Sequence, residues 1–275
     1  MNILVTGGNG FLGSHLIREL TRCGHKITCL IRPKSKLDLL AGLYPIHFTK
    51  NLNSFESYDF IYHVAGILGG NSLLYNDYRY VHYEFPKELM DKMRDDGVFI
   101  YISSAYVTDN LDNHSYYEKT KLMGEMVIRG SRKKSVIVRP GVIYGPHDFH
   151  LLPLFKYINK FGRLFPIIGS GNNKIDPIYV RDVAKAITPD RLDKQFYTLY
   201  NDNMITLIGH AITMKEFLRS IAGALGVGKP FIKIPPVYKT DFFCTQRLHQ
   251  GVIGKTSLAY GLERTVAWYR KRGFL

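Results

Sequence analysis

The segment NILVTGGNGFLGSHLIRELTRCGHKITCLIR, residues 2–32, constrains the fold more than any other stretch. An apolar run over residues 2–6 predicts a short buried strand, and three glycines then recur at a spacing of three: Gly7, Gly10 and Gly13. Leu12, Leu16, Ile17 and Leu20 share one face of the helix that follows, which is predicted to end near Gly24. KITCLIR then reads as a second buried strand. A strand, a glycine turn, a helix and a second strand make a βαβ unit, and such units build parallel sheets.

The same turn predicts a ligand. Gly7 permits the tight turn, Gly10 lets a pyrophosphate approach the backbone, and Gly13 lets the helix pack close to the strand. The helix start at Phe11 and Leu12 offers free N–H groups and a partial positive charge to an anion. A tight turn without a ligand is the alternative, and the strand before and helix after it weigh against that. The end of the second strand, CLIRPKSK, places Arg32 where a carboxylate would take the ribose 2′-hydroxyl of NAD. With Lys34 or Lys36 nearby, Arg32 suits a 2′-phosphate instead. The expected cofactor is therefore NADP in preference to NAD, although a solvated basic loop would look the same.

The chain has 275 residues, 45% of them hydrophobic, enough for one large α/β domain with a smaller appendage. No uncharged apolar run approaches the ~20 residues that cross a bilayer. MNILV is too short for a signal-peptide core, so a cytoplasmic protein is expected. Cys23, Cys29 and Cys244 show no metal-ligand spacing and read as buried free thiols. The net charge of +14 raises the question of nucleic acid, but the basic residues are scattered. The densest cluster, RGSRKK at 129–134, reads as a helix end, where cations suit the dipole. The expected partner is a small molecule, with no nucleic acid, membrane or metal.

Further strands are predicted at 45–49, 59–65, 98–103 and 135–140, with helices at 84–96 and 116–130 among them. This alternation predicts an α/β Rossmann doubly wound parallel sheet with a smaller C-terminal substrate-binding lobe. After Pro140 the alternation weakens, although helices are expected at 211–226 and 257–273. The expected division is a core over 1–145 with 172–205 returning to the sheet, and a lobe over 146–171 and 206–275.

In SYYEKTKLMGE, residues 115–125, Tyr117 and Lys121 stand one helical turn apart and face the same way. A nearby ammonium and an oxidised nicotinamide ring both favour phenolate, which would let Tyr117 act as a base near neutral pH. Ser104 follows a parallel strand, at the end where such sheets bind ligands, and its hydroxyl would hold the substrate oxygen. Ser103 competes for that role, and a solvent-facing helix is the bland alternative for the pair. A second Tyr-x-x-x-Lys match, Tyr83 to Lys87, contains Pro86 and cannot form a regular turn.

TGGNGFLGSHL, YHVAG, ISSAYV, Tyr117-x-x-x-Lys121 and VRPGVIYGP occur in an order that resembles the extended short-chain dehydrogenases/reductases of the NAD-dependent epimerase/dehydratase family. The opening is also similar to the dihydroflavonol-reductase-like branch. The resemblance implies a catalytic triad of Ser104, Tyr117 and Lys121, with Lys121 also on the nicotinamide ribose. It implies a dinucleotide lined by Val64, Ala65, Gly66, Asn51, Leu52, Pro140 and Val142. It implies a nucleotide-sugar epimerase or 4-ketoreductase, and a homodimer through helices 84–96 and 116–130, where Leu122, Met126 and Val127 would serve. There are departures. Asn51 replaces an aspartate near the adenine, and His82 stands where a structural asparagine is common. Ile175 fills the slot of an arginine on the substrate pyrophosphate, with Lys174 adjacent. An NADPH-dependent reductase of a non-nucleotide carbonyl compound is the alternative, and a non-catalytic NADP-binding sensor the third.

Overall fold

The computed structural model describes residues 1–43, 46–50, 58–68, 74–107, 115–192, 203–235 and 251–275. It divides into two compact units, Met1–Pro140 with Ala184–Ile205, and Gly141–Val183 with Thr206–Leu275.

The first unit carries β1 (Asn2–Thr6), α1 (Phe11–Arg22), β2 (Lys26–Leu30), β3 (Ile46–Thr49) and β4 (Phe60–His63). It continues through α2 (Tyr75–Arg79), a π-helical turn (Tyr80–Glu84), α3 (Phe85–Lys92), β5 (Val98–Ile102), α4 (Tyr116–Gly130) and β6 (Ser135–Pro140). Its strands pair in the order β6-β5-β4-β1-β2-β3, all parallel. This is the expected Rossmann-type α/β sheet. Leu4, Ile61, Phe99, Tyr101 and Ile137 pack with Leu89, Met90 and Ile128 of α3 and α4. Their alternates Ile3, Val5, Ile27, Cys29, Tyr62 and Ile100 are buried as well. Both faces are therefore covered, which is why these strands read as unbroken apolar runs.

The second unit contains β7 (Ile143–Tyr144), α5 (Leu152–Phe161), β8 (Ile167–Ile168), β9 (Lys174–Ile175) and β10 (Ile178–Tyr179). The helix α6 (Val180–Ala186) runs across the boundary in sequence, and β11 (Met204–Ile208) does likewise. β12 (Ile212–Thr213), α7 (Met214–Leu225), β13 (Lys233–Ile234), β14 (Val252–Ile253) and α8 (Leu258–Lys271) complete it. Its core joins Phe155, Ile158, Phe217, Ile221, Leu262 and Tyr269 from the three longer helices. Short parallel pairs β7·β10 and β8·β13 and the antiparallel pair β9·β12 frame it. A reciprocal cap fixes the start of α7: Thr213 Oγ1 accepts from the Glu216 N–H, and Glu216 Oε2 accepts from the Thr213 N–H. Gly226, at φ +75°, closes that helix.

Three expectations shift. Residues 141–145 and 172–183 were expected with the core and group with the second unit, where β10 pairs with β7. Helix 84–96 is shorter, because Met93 turns to extended backbone after Lys92. Cys29 is the buried thiol expected, but Cys23 is exposed past the end of α1, and its sulfur lies with ligand atoms of His25 and Asp190, all within 4.8 Å of one another. Cys244 lies outside the described residues.

Candidate active site

The glycine turn is built for close backbone approach. At Gly13 an added Cβ would lie 2.1 Å from the Gly7 carbonyl oxygen, so only glycine lets α1 start against the turn. Gly7 has φ +68°, and a side chain there would meet the Ala65 nitrogen at 2.6 Å. Gly10 caps α1 without a side-chain bond, which leaves the N–H groups of Phe11, Leu12 and Gly13 at an open helix start. Gly8, which sequence reasoning passed over, is also held: a Cβ would press on Ile17 and Cys29 at 2.4 and 2.5 Å. These residues fit a dinucleotide pyrophosphate, which needs a bare backbone and a helix N-terminus. Arg32 is exposed beyond β2, and its carbonyl accepts from the Ser35 N–H at 3.2 Å. Asn9 Nδ2 donates to the Lys36 carbonyl at 3.1 Å, tying that basic loop to the glycine turn.

On the other side of β1, Ala65 packs against Gly7, and the Val64 N–H donates to the Thr6 carbonyl at 3.2 Å. Gly66 comes next; a Cβ there would stand 3.7 Å from both His82 Nε2 and Lys121 Nζ. Gly66 therefore lies between the glycine turn and the cluster of Ser104, Tyr117 and Lys121. Pro140 is buried and its carbonyl accepts from the Ala105 N–H at 2.9 Å. Val142 belongs to the second unit, where its carbonyl accepts from the Ile178 N–H at 2.8 Å. Asn51 and Leu52 lie outside the described residues.

α4 begins with a capping box that fixes its register: Ser115 Oγ accepts from the Glu118 N–H and Glu118 Oε2 accepts from the Ser115 N–H. That start places Tyr117 in the first turn and Lys121 one turn on. The Ser104 hydroxyl lies close enough to the Tyr117 phenol to hold its pKa down, and the Tyr117 ring stands edge-on to the His82 imidazole at 5.4 Å. Ser103 is occupied elsewhere, donating to Glu125 Oε1 at 2.5 Å. Of the two serines, Ser104 is the one that reaches the tyrosine. Lys121 is 3% exposed; its Nζ donates to the Ile102 carbonyl at 2.6 Å and lies 4.9 Å from the Tyr101 ring centre.

The electrostatics bear on one expectation. Burial pushes the Tyr117 phenol up to about 12, partly offset by the Ser104 hydroxyl, and Glu118 adds to the rise. Lys121 is itself pushed down to about 7 by burial, with Glu125 opposing the fall. Desolvation therefore keeps the phenol protonated at neutral pH in the protein alone, whereas the expected phenolate also draws on a bound oxidised nicotinamide. In the protein alone, Tyr117 is an acid.

Behind the triad lies a network that local patterns did not reveal. A π-helical turn frees carbonyls that an α-helix would use. Here the Val81 carbonyl accepts from His63 Nε2 at 2.9 Å, and the His82 carbonyl accepts from the Tyr101 hydroxyl at 2.8 Å. The Thr6 hydroxyl donates to His63 Nδ1 at 2.9 Å. The Thr120 hydroxyl proton goes to the Tyr116 carbonyl at 2.7 Å, so Thr120 accepts from His82 Nδ1 at 2.9 Å. His82 Nε2 is then free to accept from the Ile67 N–H at 3.1 Å. Both imidazoles are held neutral; burial and the Lys121 charge press His63 down to about 3 and His82 in the same direction. Gly124 admits this packing: a Cβ would come within 2.2 Å of the His82 carbonyl oxygen. Below it, Glu125 is fully buried and takes Arg139 through both oxygens, at 2.7 and 2.5 Å. Glu125 follows Lys121 by one turn, which is the signal that marks it in hindsight.

A Rossmann sheet, a glycine turn and a Ser-Tyr-Lys cluster after β5 define a nucleotide-dependent oxidoreductase or epimerase. The chain belongs to the NAD dependent epimerase/dehydratase family, whose model matches residues 3–189. It is an enzyme of the extended short-chain dehydrogenase/reductase type. It is 26% identical to a ceramide reductase of Caulobacter vibrioides, over 99% of this chain and 96% of that protein. It is 26% identical to a 2-alkyl-3-oxoalkanoate reductase of Stenotrophomonas maltophilia, over 68% of this chain and 64% of that protein. In structure it is similar to the UDP-glucose 4-epimerase of Thermotoga maritima, solved with UDP-glucose, with a TM-score of 0.74, 20% identity and 99% of both chains covered.

Proposed function

We propose that this chain is an NADP-dependent reductase of a carbonyl group on an apolar, non-nucleotide compound. The closeness of the Ser104 hydroxyl to the buried Tyr117 phenol carries the chemistry of this reading. A nicotinamide coenzyme, when bound, would supply the hydride to the carbonyl carbon. Ser104 holds the substrate oxygen, and Tyr117, protonated at neutral pH, gives that oxygen its proton. Lys121, seated on the Ile102 carbonyl, holds the ribose and its charge supports the phenol once the proton has left. Ile175 favours such a substrate only by its type: by resemblance its slot belongs to an arginine on a substrate pyrophosphate, and an isoleucine carries no charge. The names of both sequence relatives point the same way, since each denotes a reductase of a lipid-like compound. Arg32, exposed at the end of β2, is the residue we assign to the 2′-phosphate, and Arg32→Glu should exchange NADPH for NADH preference. Unchanged preference in a titration of the two coenzymes would remove that assignment.

A nucleotide-sugar epimerase is the second reading, favoured by Lys174, an exposed cation beside Ile175. An epimerase regenerates its coenzyme, whereas a reductase consumes it mole for mole. Absorbance of reduced nicotinamide followed through turnover of a long-chain 3-oxo compound and of UDP-glucose decides between them. Steady loss with the first substrate supports the reductase; interconversion of the second without net loss overturns it.

A further inference from the structure

The helix α5 is apolar on two sides. Leu152, Phe155 and Ile158 enter the core of the second unit. On the opposite side, Tyr157, Phe161 and, in the turn that follows, Leu164 are 57%, 42% and 66% exposed. A surface helix ordinarily turns polar residues outward. Here the outward apolar side chains alternate with exposed cations, Lys156, Lys160 and Arg163. The rings of Tyr157 and Phe161 stack at 6.3 Å, and Lys160 Nζ lies 5.3 Å from the centre of the Phe161 ring.

A second segment lies alongside. Gly228 abuts Arg163 so closely that a Cβ would come within 2.4 Å of its Cγ, and the Ile167 N–H donates to the Ile232 carbonyl at 2.8 Å. This segment adds Lys229, Lys233 and Phe231, the last 60% exposed. Neither stretch holds a carboxylate: no Asp or Glu occurs from Phe149 through Ile175, or from Phe217 through Thr240. The face therefore presents large apolar side chains among cations, with no acid from its own segments.

We propose that this face seats on an anionic lipid surface. Aromatic and aliphatic side chains enter the headgroup boundary, and lysine and arginine heads meet the phosphates above them. Charge decides against the other occupants. A second copy in a symmetric contact would set these cations against the same cations. A nucleic acid would satisfy the cations but leave Leu164 without a stacking partner. Among the described residues no helix is long and apolar enough to cross a membrane, so the contact is peripheral and amends the expectation of no membrane partner. It stands whichever substrate the active site takes.

The test is co-sedimentation of the full chain with vesicles of phosphatidylcholine alone or mixed with phosphatidylserine. Binding to the mixed vesicles alone is expected, falling as salt rises from ~0.1 to ~1 M. The double variant Lys160→Ala with Arg163→Ala should bind about 25-fold more weakly, at roughly 5-fold per cation. Phe161→Ser with Leu164→Ser should lose the salt-resistant remainder. Thermal midpoints near wild type show that these exposed substitutions leave the fold intact. Four outcomes overturn the proposal: no binding to the mixed vesicles, equal binding by the variants, tighter binding to an oligonucleotide, or a dimer that Phe161→Ser with Leu164→Ser dissolves.

Discussion

Lys121 sits where a cation is expensive, buried beside two neutral imidazoles, with Glu125 supporting its charge. Tyr117→Phe should leave coenzyme affinity nearly unchanged and lower kcat by orders of magnitude, because it removes the proton and not the packing; wild-type kcat in a steady-state assay would end the assignment. Glu125→Ala should cost about 1–3 kcal/mol in a urea titration, since the half-buried Arg139 would lose both of its charged hydrogen bonds and Ser103 its acceptor. A loss below ~1 kcal/mol would show that water reaches Arg139 and relieves it. Tyr117, Lys121 and Ser104 were legible because helix spacing and strand order place them together. The choice of Ser104 over Ser103 was legible only in part, since Ser103 is claimed by Glu125, a residue more than twenty positions away. The pKa of Tyr117 was not legible: spacing shows the nearby ammonium and says nothing of the burial that outweighs it.

At the scale of elements, α4 is the scaffold. Its capping box was present in the sequence as Ser115-x-x-Glu118 and sets its start. Ser115→Ala should lower stability by about 1 kcal/mol, read as a shift in urea midpoint without a change in slope. Gly124→Ala is the harsher change, because its Cβ meets the His82 carbonyl and the Tyr101 hydroxyl at once. It should lower both stability and kcat; a variant with wild-type values would mean that the π-helical turn yields freely. The strands of the first unit were readable because burial on both faces leaves unbroken apolar runs. The π-helical turn was not, since hydrogen bonds from His63 and Tyr101, on distant strands, hold it open.

For the whole molecule, the buried histidines set a pH dependence. In the unfolded chain each takes a proton below about 6.5, while folded His63 holds out to about 3. Between those values the unfolded state binds more protons, so stability falls as pH is lowered, by up to ~1.4 kcal/mol per unit for each histidine. Urea midpoints at pH 7 and 5.5 should show this loss, opposed in part by Asp148, whose carboxyl burial raises to about 6, and His82→Asn should reduce it. Lys121 acts at the other end: its proton is lost near 7 when folded and near 10.5 when unfolded, so its contribution improves as pH rises between them. The division into two units was approximate from sequence, because short paired strands such as β7 and β10 carry little pattern. The extra residue wound into Tyr80–Glu84 has a last consequence. Deleting one position there would rotate everything downstream by about 100°, swinging Leu89 and Met90 away from the sheet. One helical phase serves both the imidazole beside the tyrosine and the methionine in the core, and neither can be re-aimed without dislodging the other.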